Sequence, residues 1–229
     1  MSDISGRIKV VEEQIALVAN GCGRVPSEIE LVAVSKSQSA EAVREALAAG
    51  QLLFGENRAQ EVIAKVPLLP SSIHWHFIGH LQKNKVRKVL PLVDLVHGVD
   101  SLELALDIDR IASELGLFPR VLLEVNVSGE ATKFGFTPEV ARREAPRLLE
   151  LTRVQWEGLM TIAPIVDAPD NARPFFAQLR MLRDQIAAEN QVDLPTLSMG
   201  MSDDFEAAIK EGATLVRLGT VIFGPRGRA

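Results

Sequence analysis

Short apolar runs recur along the chain, and polar stretches with helical spacing lie between them. Eight runs can be distinguished: Leu31–Ser35, Leu52–Gly55, His74–Ile78, Leu95–Val99, Val121–Val127, Trp156–Ile162, Thr196–Met199 and Leu215–Leu218. Runs that are apolar almost throughout are typical of parallel strands with both faces covered. Eight such strands alternating with helices predict an α/β fold, a closed (β/α)8 barrel of the TIM type.

The segment before the first run predicts one extra helix at the N-terminus. Its apolar residues follow one another at spacings of 4, 3, 4 and 3, which places them on one helical face: Ile4, Ile8, Val11, Ile15 and Val18. Two further helices are predicted over Glu41–Ala49 and Leu102–Leu115, after the first and fourth runs.

Capping residues and periodicity predict three more helices. Thr137 followed by Pro138 is typical of a helix N-terminus with proline at the first helical position. After the sixth run, the buried stripe of a helix is predicted to consist of Phe175, Leu179, Leu182 and Ile186. Ser202 is expected to cap the helix after the seventh run, with Asp203 and Asp204 in its first turn.

A doubly wound open sheet is the competing fold for alternating strands and helices. Such a sheet usually has fewer strands and a glycine-rich turn after the first one. The first run here continues into Lys36-Ser37-Gln38 instead, so the barrel is favoured. We find no linker or low-complexity segment, and residues 1–229 are expected to form a single domain.

Composition restricts the partners and the compartment. Lys and Arg number 25 against 30 Asp and Glu, and the net charge of −5 argues against broad nucleic-acid binding. Cys22 is the single cysteine, which fits a reducing cytoplasm. The charged N-terminus does not resemble a signal peptide, and no stretch approaches the roughly 18 apolar residues of a membrane helix.

Candidate chemistry is sought at the strand ends, where barrels of this type carry their functional groups. The first run ends in Lys36. Burial at such a position lowers the pKa of an ammonium group and yields the free amine that Schiff-base chemistry requires. The alternative is a surface lysine at the start of a loop.

The seventh and eighth strand ends predict a phosphate-binding cup. Gly219 allows close approach of the backbone, Thr220 adds a hydroxyl group, and Ser202 follows the neighbouring strand. The loop after the eighth strand is a common phosphate site in barrels, although glycine and serine are also ordinary turn residues. Arg217 lies within the last run, and alternation places it on the face opposite Val216 and Leu218.

Polar residues also follow the second and third runs. Asn57 is positioned to hydrogen-bond a ligand oxygen. His74, His76 and His80 raise the possibility of a metal site, but no cysteine or carboxylate cluster completes a ligand set. We expect instead that one histidine packs inside and another caps the loop. The basic stretch 83–88 is expected to be a solvated helix face, the alternative being contact with an anionic partner.

Several long motifs carry a resemblance to a known family: Ala33–Lys36, Phe54–Glu61, Trp75–Lys85, Gly158–Ile162, Leu197–Asp204 and Val216–Gly224. They occur in order along nearly the whole chain. The sequence resembles the pyridoxal 5′-phosphate (PLP) homeostasis proteins, also called the proline-synthase co-transcribed family. This resemblance implies a fold like the N-terminal barrel of alanine racemase, with PLP bound.

The resemblance also implies roles for individual residues. Lys36 matches the lysine that forms the Schiff base with PLP, and Arg217 matches the arginine that faces the pyridine nitrogen. The phosphate-binding positions are matched by Ser202, Gly219 and Thr220. Asn57 lies in a Gly-Glu-Asn motif near the cofactor. The family is regarded as regulating free PLP and amino-acid balance, without an established catalytic activity.

The resemblance leaves a choice between a carrier and an enzyme. The similar racemases use a tyrosine from the second domain of a partner subunit as their second acid–base group, and this sequence contains no Tyr. Four residues beyond the lysine, where the racemases also place a tyrosine, this sequence has Ala40. We expect no room after the eighth strand for the second domain of a racemase. The expected function is therefore PLP carriage or buffering by a monomer, with PLP-dependent apo-enzymes as recipients. Amino-acid racemisation or slow transamination is the alternative.

Overall fold

Eight parallel strands form a closed barrel in chain order, as the alternating apolar runs predicted. The computed structural model describes residues 3–224, and residues 1–2 and 225–229 of the predicted domain lie outside the described residues. The strands are β1 (Glu30–Val34), β2 (Leu53–Glu56), β3 (His74–Phe77), β4 (Leu95–Val99), β5 (Arg120–Glu124), β6 (Gln155–Met160), β7 (Thr196–Ser198) and β8 (Leu215–Leu218). Pairing of β1 with β8, in which Glu30 lies opposite Leu215, closes the ring.

Helices follow the strands and cover the outside of the barrel. They are α1 (Ile4–Gly21), α2 (Ala40–Ala48), α3 (Ala59–Lys65), α4 (Val86–Val89), α5 (Leu102–Leu115), α6 (Pro138–Leu149), α7 (Arg173–Asn190), α8 (Phe205–Lys210) and α9 (Thr220–Phe223). The predicted basic helix over 83–88 is a 3-10 turn, Lys83–Lys85, that leads into α4. None of the helices in residues 3–224 combines the length and apolarity that a membrane crossing requires.

The extra N-terminal helix is confirmed as α1, and the side chain of Asp3 caps it by accepting a hydrogen bond from the Gly6 N–H. Four of the five residues predicted for its buried face are buried. The fifth buried residue is Ala19, whereas Val18 is only half-buried, because the helical repeat has rotated away from it by that point. The helix packs against α2, α8 and α9 and so covers the seam between the first and last units.

Capping was predicted correctly for one helix and wrongly for another. The Thr137 hydroxyl accepts from the Val140 N–H, and Pro138 begins α6. Ser202 is not a cap, because α8 begins only at Phe205. The Asp204 carboxylate accepts from the Met201 N–H, and the Phe205 N–H donates to the Met201 carbonyl. This turn occupies the residues between β7 and α8, so Ser202 lies outside the helix, and Asp203 and Asp204 precede its first turn instead of lying in it.

Two strands, β5 and β6, end at least two residues before the apolar runs that predicted them, and β1, β3 and β7 end one residue before theirs. The runs extended to Val127 and Ile162, whereas β5 ends at Glu124 and β6 at Met160. Main-chain hydrogen bonds continue just past both ends, from the Val125 N–H to the Met160 carbonyl and from the Thr161 N–H to the Ser198 carbonyl, and the Thr161 hydroxyl donates to the Val125 carbonyl. In α7, the buried position is Phe176, and the predicted Phe175 is half-buried.

The barrel interior changes from apolar to polar along the strands. An inner apolar cluster is formed by Val32, Leu95, Leu122, Met160 and Leu215. Residues two positions further along a strand face the same side. Two residues beyond Leu95 and Leu215 are His97 and Arg217, both buried. The polar part of the interior therefore lies toward the C-terminal ends of the strands.

Candidate functional site

A cavity of about 370 Å³ lies at the C-terminal ends of the strands, within the range of roughly 300–1,000 Å³ typical of small-molecule sites. The structure brings all six residues predicted for the site into its lining: Lys36, Asn57, Ser202, Arg217, Gly219 and Thr220. The other lining residues are Val34, Gln38, Ile78, Gly79, Ile162, Met201, Asp203 and Gly224. These residues were not predicted, although Gly79 directly follows the third apolar run and Met201 lies two residues after the seventh.

Lys36 reaches the cavity because β1 ends two residues earlier and the chain turns outward. The Ser35 N–H donates to the Gly55 carbonyl of β2, which carries the pairing one residue past the strand. Lys36 itself is half-buried, as the prediction of a partly desolvated lysine required. The next residue, Ser37, has a positive φ of 60° and turns the main chain away from the barrel.

Asn57 follows β2 and presents an unpaired acceptor at the cavity. Its Oδ1 atom is buried and has no hydrogen-bond partner among the described residues. Gly79, after β3, packs directly on its backbone, since an added Cβ would lie 2.4 Å from the Asn57 carbonyl oxygen. Buried polar atoms are rarely left unsatisfied, so this oxygen indicates a position for a donor group of a ligand or an ordered water.

Small residues and hydroxyl groups form the opposite side of the cavity. A Cβ added to Gly219 would lie 3.2 Å from the Val34 carbonyl oxygen, so the ends of β8 and β1 approach closely here. Gly200 has a φ of +92°, and an added Cβ would lie 2.6 Å from the Cβ of Ala208. Backbone and the hydroxyls of Ser202 and Thr220 can therefore contact an anion without interference from larger side chains.

Arg217 is buried beneath the cavity with two protein acceptors. Its guanidinium donates to the Ser198 hydroxyl and, over 2.8 Å, to the Thr161 carbonyl. Burial lowers the pKa of Arg217 to about 10, against the opposing effect of the Asp204 and Glu124 carboxyls. The guanidinium remains a cation at neutral pH. Because a guanidinium can only donate hydrogen bonds, Arg217 can offer N–H donors, and no acceptor, to a ligand in the cavity.

Two histidines extend this hydrogen-bonded chain across the barrel. His97 Nδ1 lies 2.8 Å from Ser198 Oγ, and His97 Nε2 lies 2.9 Å from His76 Nδ1. Ser198 Oγ accepts from Arg217 and is hydrogen-bonded to His97 Nδ1, and His97 Nε2 is hydrogen-bonded to His76 Nδ1, so one chain of hydrogen bonds joins the four side chains. Burial lowers the pKa of His76 to about 3 and that of His97 well below its usual range, so both rings are neutral.

This chain was missed in the sequence, apart from the expectation that one histidine packs inside. The available signal was a polar residue at an interior position of an otherwise apolar strand, as at His97 between Val96 and Gly98. His80 is not part of this chain: its ring is hydrogen-bonded to Asp100 and stacks on Phe134. Within residues 3–224, no group of three or more His, Cys, Asp or Glu is arranged to hold a metal ion.

Glu124 is a further buried carboxyl that the sequence did not single out. It is 7% exposed, and burial raises its pKa to about 7, with a further rise from Asp100 that Arg217 partly offsets. A Cβ added to Gly98 would lie 3.1 Å from its Oε2 atom, so the glycine makes room for this side chain. Glu124 is therefore close to half-protonated at neutral pH.

The basic stretch 83–88 is largely exposed, and its Lys85 lines a second cavity together with Asn57. Lys83 forms an ion pair with Glu103, and Arg87 forms one with Glu114 of α5. Exposed pairs of this kind contribute little to stability. The expectation of a solvated surface is consistent with these contacts.

Fold and cavity together define a (β/α)8 barrel with an amine, a buried guanidinium and hydroxyl groups around one small-molecule cavity. The chain matches the family profile described as "Alanine racemase, N-terminal domain" over residues 12–227. A protein of Aquifex aeolicus named "Pyridoxal phosphate homeostasis protein" is 44% identical over 221 residues, which cover 96% of this chain and 97% of that protein. The chain belongs to the family of pyridoxal phosphate homeostasis proteins.

Solved structures agree with this assignment. The structure of PipY of Synechococcus elongatus with PLP bound superimposes with a TM-score of 0.86 at 42% identity, covering 97% of this chain and all of that one. Alanine racemase of Clostridium difficile, at 18% identity, superimposes with a TM-score of 0.73 over 92% of this chain and 56% of that one. This more distant likeness extends to the fold alone.

Proposed function

We propose that this protein binds PLP covalently as a Schiff base on Lys36 and serves as a carrier or buffer of the cofactor in the cytoplasm. The single observation that carries the proposal is the meeting of six predicted residues from four strand ends in one cavity. Family membership supports it, as does the PLP bound to the similar PipY structure.

The residues present fit the chemical groups of PLP. Lys36 supplies the primary amine for the aldehyde, and the cup of Ser202, Gly219 and Thr220 suits a phosphate dianion. Arg217 supplies N–H donors to the pyridine nitrogen. The unpaired Oδ1 of Asn57 can accept a hydrogen bond from the cofactor or from water. When bound, PLP supplies an aldehyde that condenses with amines and an electron-withdrawing ring.

Reduction and peptide mapping test the covalent assignment. Purified protein is treated with borohydride, digested, and analysed by mass spectrometry for a pyridoxyl group. We expect the group on Lys36, together with loss of an absorbance band at the violet edge of the visible spectrum. A label on another lysine of the unmodified protein, or no label after incubation with PLP, would overturn the assignment.

Carriage is favoured over racemisation by the set of titratable groups at the cavity. Racemisation requires proton transfer on both faces of the substrate carbon. Among the described lining residues, the titratable groups are Lys36, Asp203 and Arg217, and Asp203 is exposed. The sequence contains no Tyr, the second base of the similar racemases. Arg217 disfavours protonation of the pyridine nitrogen and so weakens the cofactor as an electron sink, but the similar racemases share this arginine, so the missing second base carries the argument.

Two assays separate the carrier from an enzyme. PLP-loaded protein is mixed with the apo form of a PLP-dependent enzyme, and recovery of that enzyme's activity is followed over time. We expect transfer of PLP, and negligible racemisation of L-alanine by the loaded protein under the same conditions. Multiple turnovers of L-alanine without transfer would favour the racemase.

A further inference from the structure

A buried ionic cluster lies directly behind Lys36. The Lys65 ammonium donates to Glu56 Oε1 over 2.6 Å, to Glu61 Oε2 over 2.8 Å and to the Ser35 carbonyl oxygen over 2.8 Å. An ammonium group has three donors, so all three are used. One of these acceptors is the carbonyl that immediately precedes Lys36 in the chain.

The same cluster also contacts the residue that follows Lys36. Glu61 Oε2 accepts a hydrogen bond of 2.7 Å from the Ser37 N–H. The two peptide groups flanking Lys36 are thus held by Lys65 and Glu61, which we call the Lys65–Glu61 clamp. Its members are one helical turn apart on α3, so a single rigid element contacts both sides of the lysine.

The backbone at Ser37 requires such support. Its φ of 60° lies in the left-handed region, which residues other than glycine, asparagine and aspartate seldom occupy. An unsupported serine would relax toward negative φ and rotate the preceding peptide. Rotation of that peptide changes the direction in which the Lys36 side chain leaves the main chain.

The clamp and its partner Glu56 are largely shielded from water, so water competes little for their hydrogen bonds. Lys65 is 8% exposed and Glu56 is fully buried. Burial raises the pKa of Glu61, but the hydrogen bonds from Lys65 and the Ser37 N–H outweigh this effect and lower the pKa below its usual value. Charge-assisted hydrogen bonds of this kind are shorter and stronger than neutral ones.

We propose that Glu61 and Lys65 are positioning residues, which hold the peptide backbone on both sides of Lys36 so that its amine stays directed into the cavity and retains PLP. Neither side chain is required to touch the cofactor. The inference rests on the proposed function, because the clamp can affect PLP retention only if PLP is bound to Lys36.

Glu61→Ala tests the clamp with retention of PLP as the readout. Loaded protein is mixed with excess semicarbazide, an amine that captures PLP, and the decay of the visible absorbance band is timed. Loss of one charge-assisted hydrogen bond to the backbone should speed the decay about tenfold. Glu61→Gln keeps an oxygen for the Ser37 N–H, so a smaller increase is expected.

Ser37→Gly tests whether Glu61 acts through the backbone conformation of residue 37. If Glu61 only stabilised the fold, glycine at this position would not restore the retention of PLP in Glu61→Ala. Glycine occupies positive φ without steric cost. In the Glu61→Ala background, Ser37→Gly should bring the decay rate back to within about threefold of the unmodified protein, if Glu61 acts by holding this conformation. Ser37→Gly alone should change the rate by less than about twofold.

Glu114→Ala is the matched control, since Glu114 also forms an ion pair at i,i+4, with Arg110 on α5, away from Lys36. Its decay rate should equal that of the unmodified protein, with or without Ser37→Gly. An unchanged rate in Glu61→Ala, or no rescue by Ser37→Gly, overturns the inference. If Glu61→Ala does not fold, Glu61→Gln with and without Ser37→Gly decides it by the same comparison.

Failure of the proposed function is distinguishable from failure of this inference. Borohydride mapping of the unmodified protein is performed first. Absence of a pyridoxyl group on Lys36 there contradicts PLP carriage itself. A group on Lys36 combined with unaffected retention in Glu61→Ala contradicts the clamp alone.

Discussion

Within the barrel, each polar side chain depends on its neighbour for a hydrogen-bond partner. Arg217 donates to Ser198, Ser198 is hydrogen-bonded to His97, and His97 is hydrogen-bonded to His76. The chain consists of neutral rings ending on one buried cation. Substitution of any member leaves a neighbour with an unsatisfied buried group, which costs more than the hydrogen bond itself contributes.

His97→Phe should therefore destabilise the protein strongly. The variant removes the hydrogen-bond partner that His97 provides to Ser198 and to His76, and the free energy of unfolding should fall by on the order of 3 kcal/mol. Urea denaturation of the PLP-free protein at neutral pH measures the change. His74→Phe is the control, because His74 is exposed, and should change stability by less than about 0.5 kcal/mol. Equal effects of the two substitutions would contradict the hydrogen-bonded chain.

Glu124→Gln should change how stability depends on pH. The pKa of Glu124 rises from 4.5 to about 7 on folding, so between these values the folded state holds a proton that the unfolded state releases. The free energy of unfolding of the unmodified protein therefore falls as pH rises through this window. Glutamine keeps the neutral form at every pH.

The two proteins should be about equally stable near pH 5, and the variant should gain up to about 3 kcal/mol by pH 8. Denaturant titrations of the PLP-free proteins at both pH values test this. A stability difference that does not depend on pH would show that Glu124 is already charged in the folded state.

At the scale of elements, close strand contact depends on a glycine in β6. Gly158 has a φ of +152°, and an added Cβ would lie 1.9 Å from the Thr196 carbonyl oxygen of β7. No flexible side chain can move aside here, because the obstacle is backbone. A larger residue would force β6 and β7 apart, and the cavity receives Ser202 and Met201 from the loop after β7.

Gly158→Ala should accordingly lower the free energy of unfolding by more than about 2 kcal/mol. Gly116→Ala is the matched control, since Gly116 also has positive φ, +68°, but nothing lies near an added Cβ. The control isolates the backbone conformational cost, about 1 kcal/mol. Thermal unfolding measures both, and a Gly158 variant no worse than the Gly116 variant would argue against the clash.

At the scale of the whole molecule, cofactor binding should stabilise the fold. Ligand that binds only the folded state adds about 2.7 kcal/mol when its free concentration is a hundred times Kd. Removal of PLP by dialysis against an amine should therefore lower Tm, and PLP should restore it. Ser202→Ala combined with Thr220→Val should weaken the restoration, because both hydroxyls line the phosphate side of the cavity. If addition of PLP did not change Tm, binding of PLP to the folded barrel would be contradicted.

We also propose that residues 1–229 act as one domain and one monomer. Light scattering coupled to gel filtration should give a mass near 25.0 kDa. Denaturant unfolding of the PLP-free protein should follow a single transition, by both fluorescence and circular dichroism. A stable dimer, or two resolved transitions, would be incompatible with the proposal.

The sequence by itself determined the barrel and six of the residues that line the cavity. Eight apolar runs alternating with helices specify parallel strands, and the C-terminal ends of parallel strands meet at one face of a barrel. Residues adjacent to those ends, such as Lys36 and Gly219, could therefore be assigned to one site without coordinates. The Ser202 cap was mispredicted, because a turn held by the Asp204 side chain delays the helix.

Only the tertiary structure decided what surrounds and holds the site. His97 and Ser198 are 101 residues apart and meet because β4 and β7 face each other across the closed barrel. Lys65 and Glu61 reach the peptide groups beside Lys36 because α3 packs on β2, the strand paired with β1. These contacts depend on closure of the ring and on burial, neither of which leaves a periodic pattern along the chain. The same burial sets the neutral state of the histidines and the half-protonated state of Glu124.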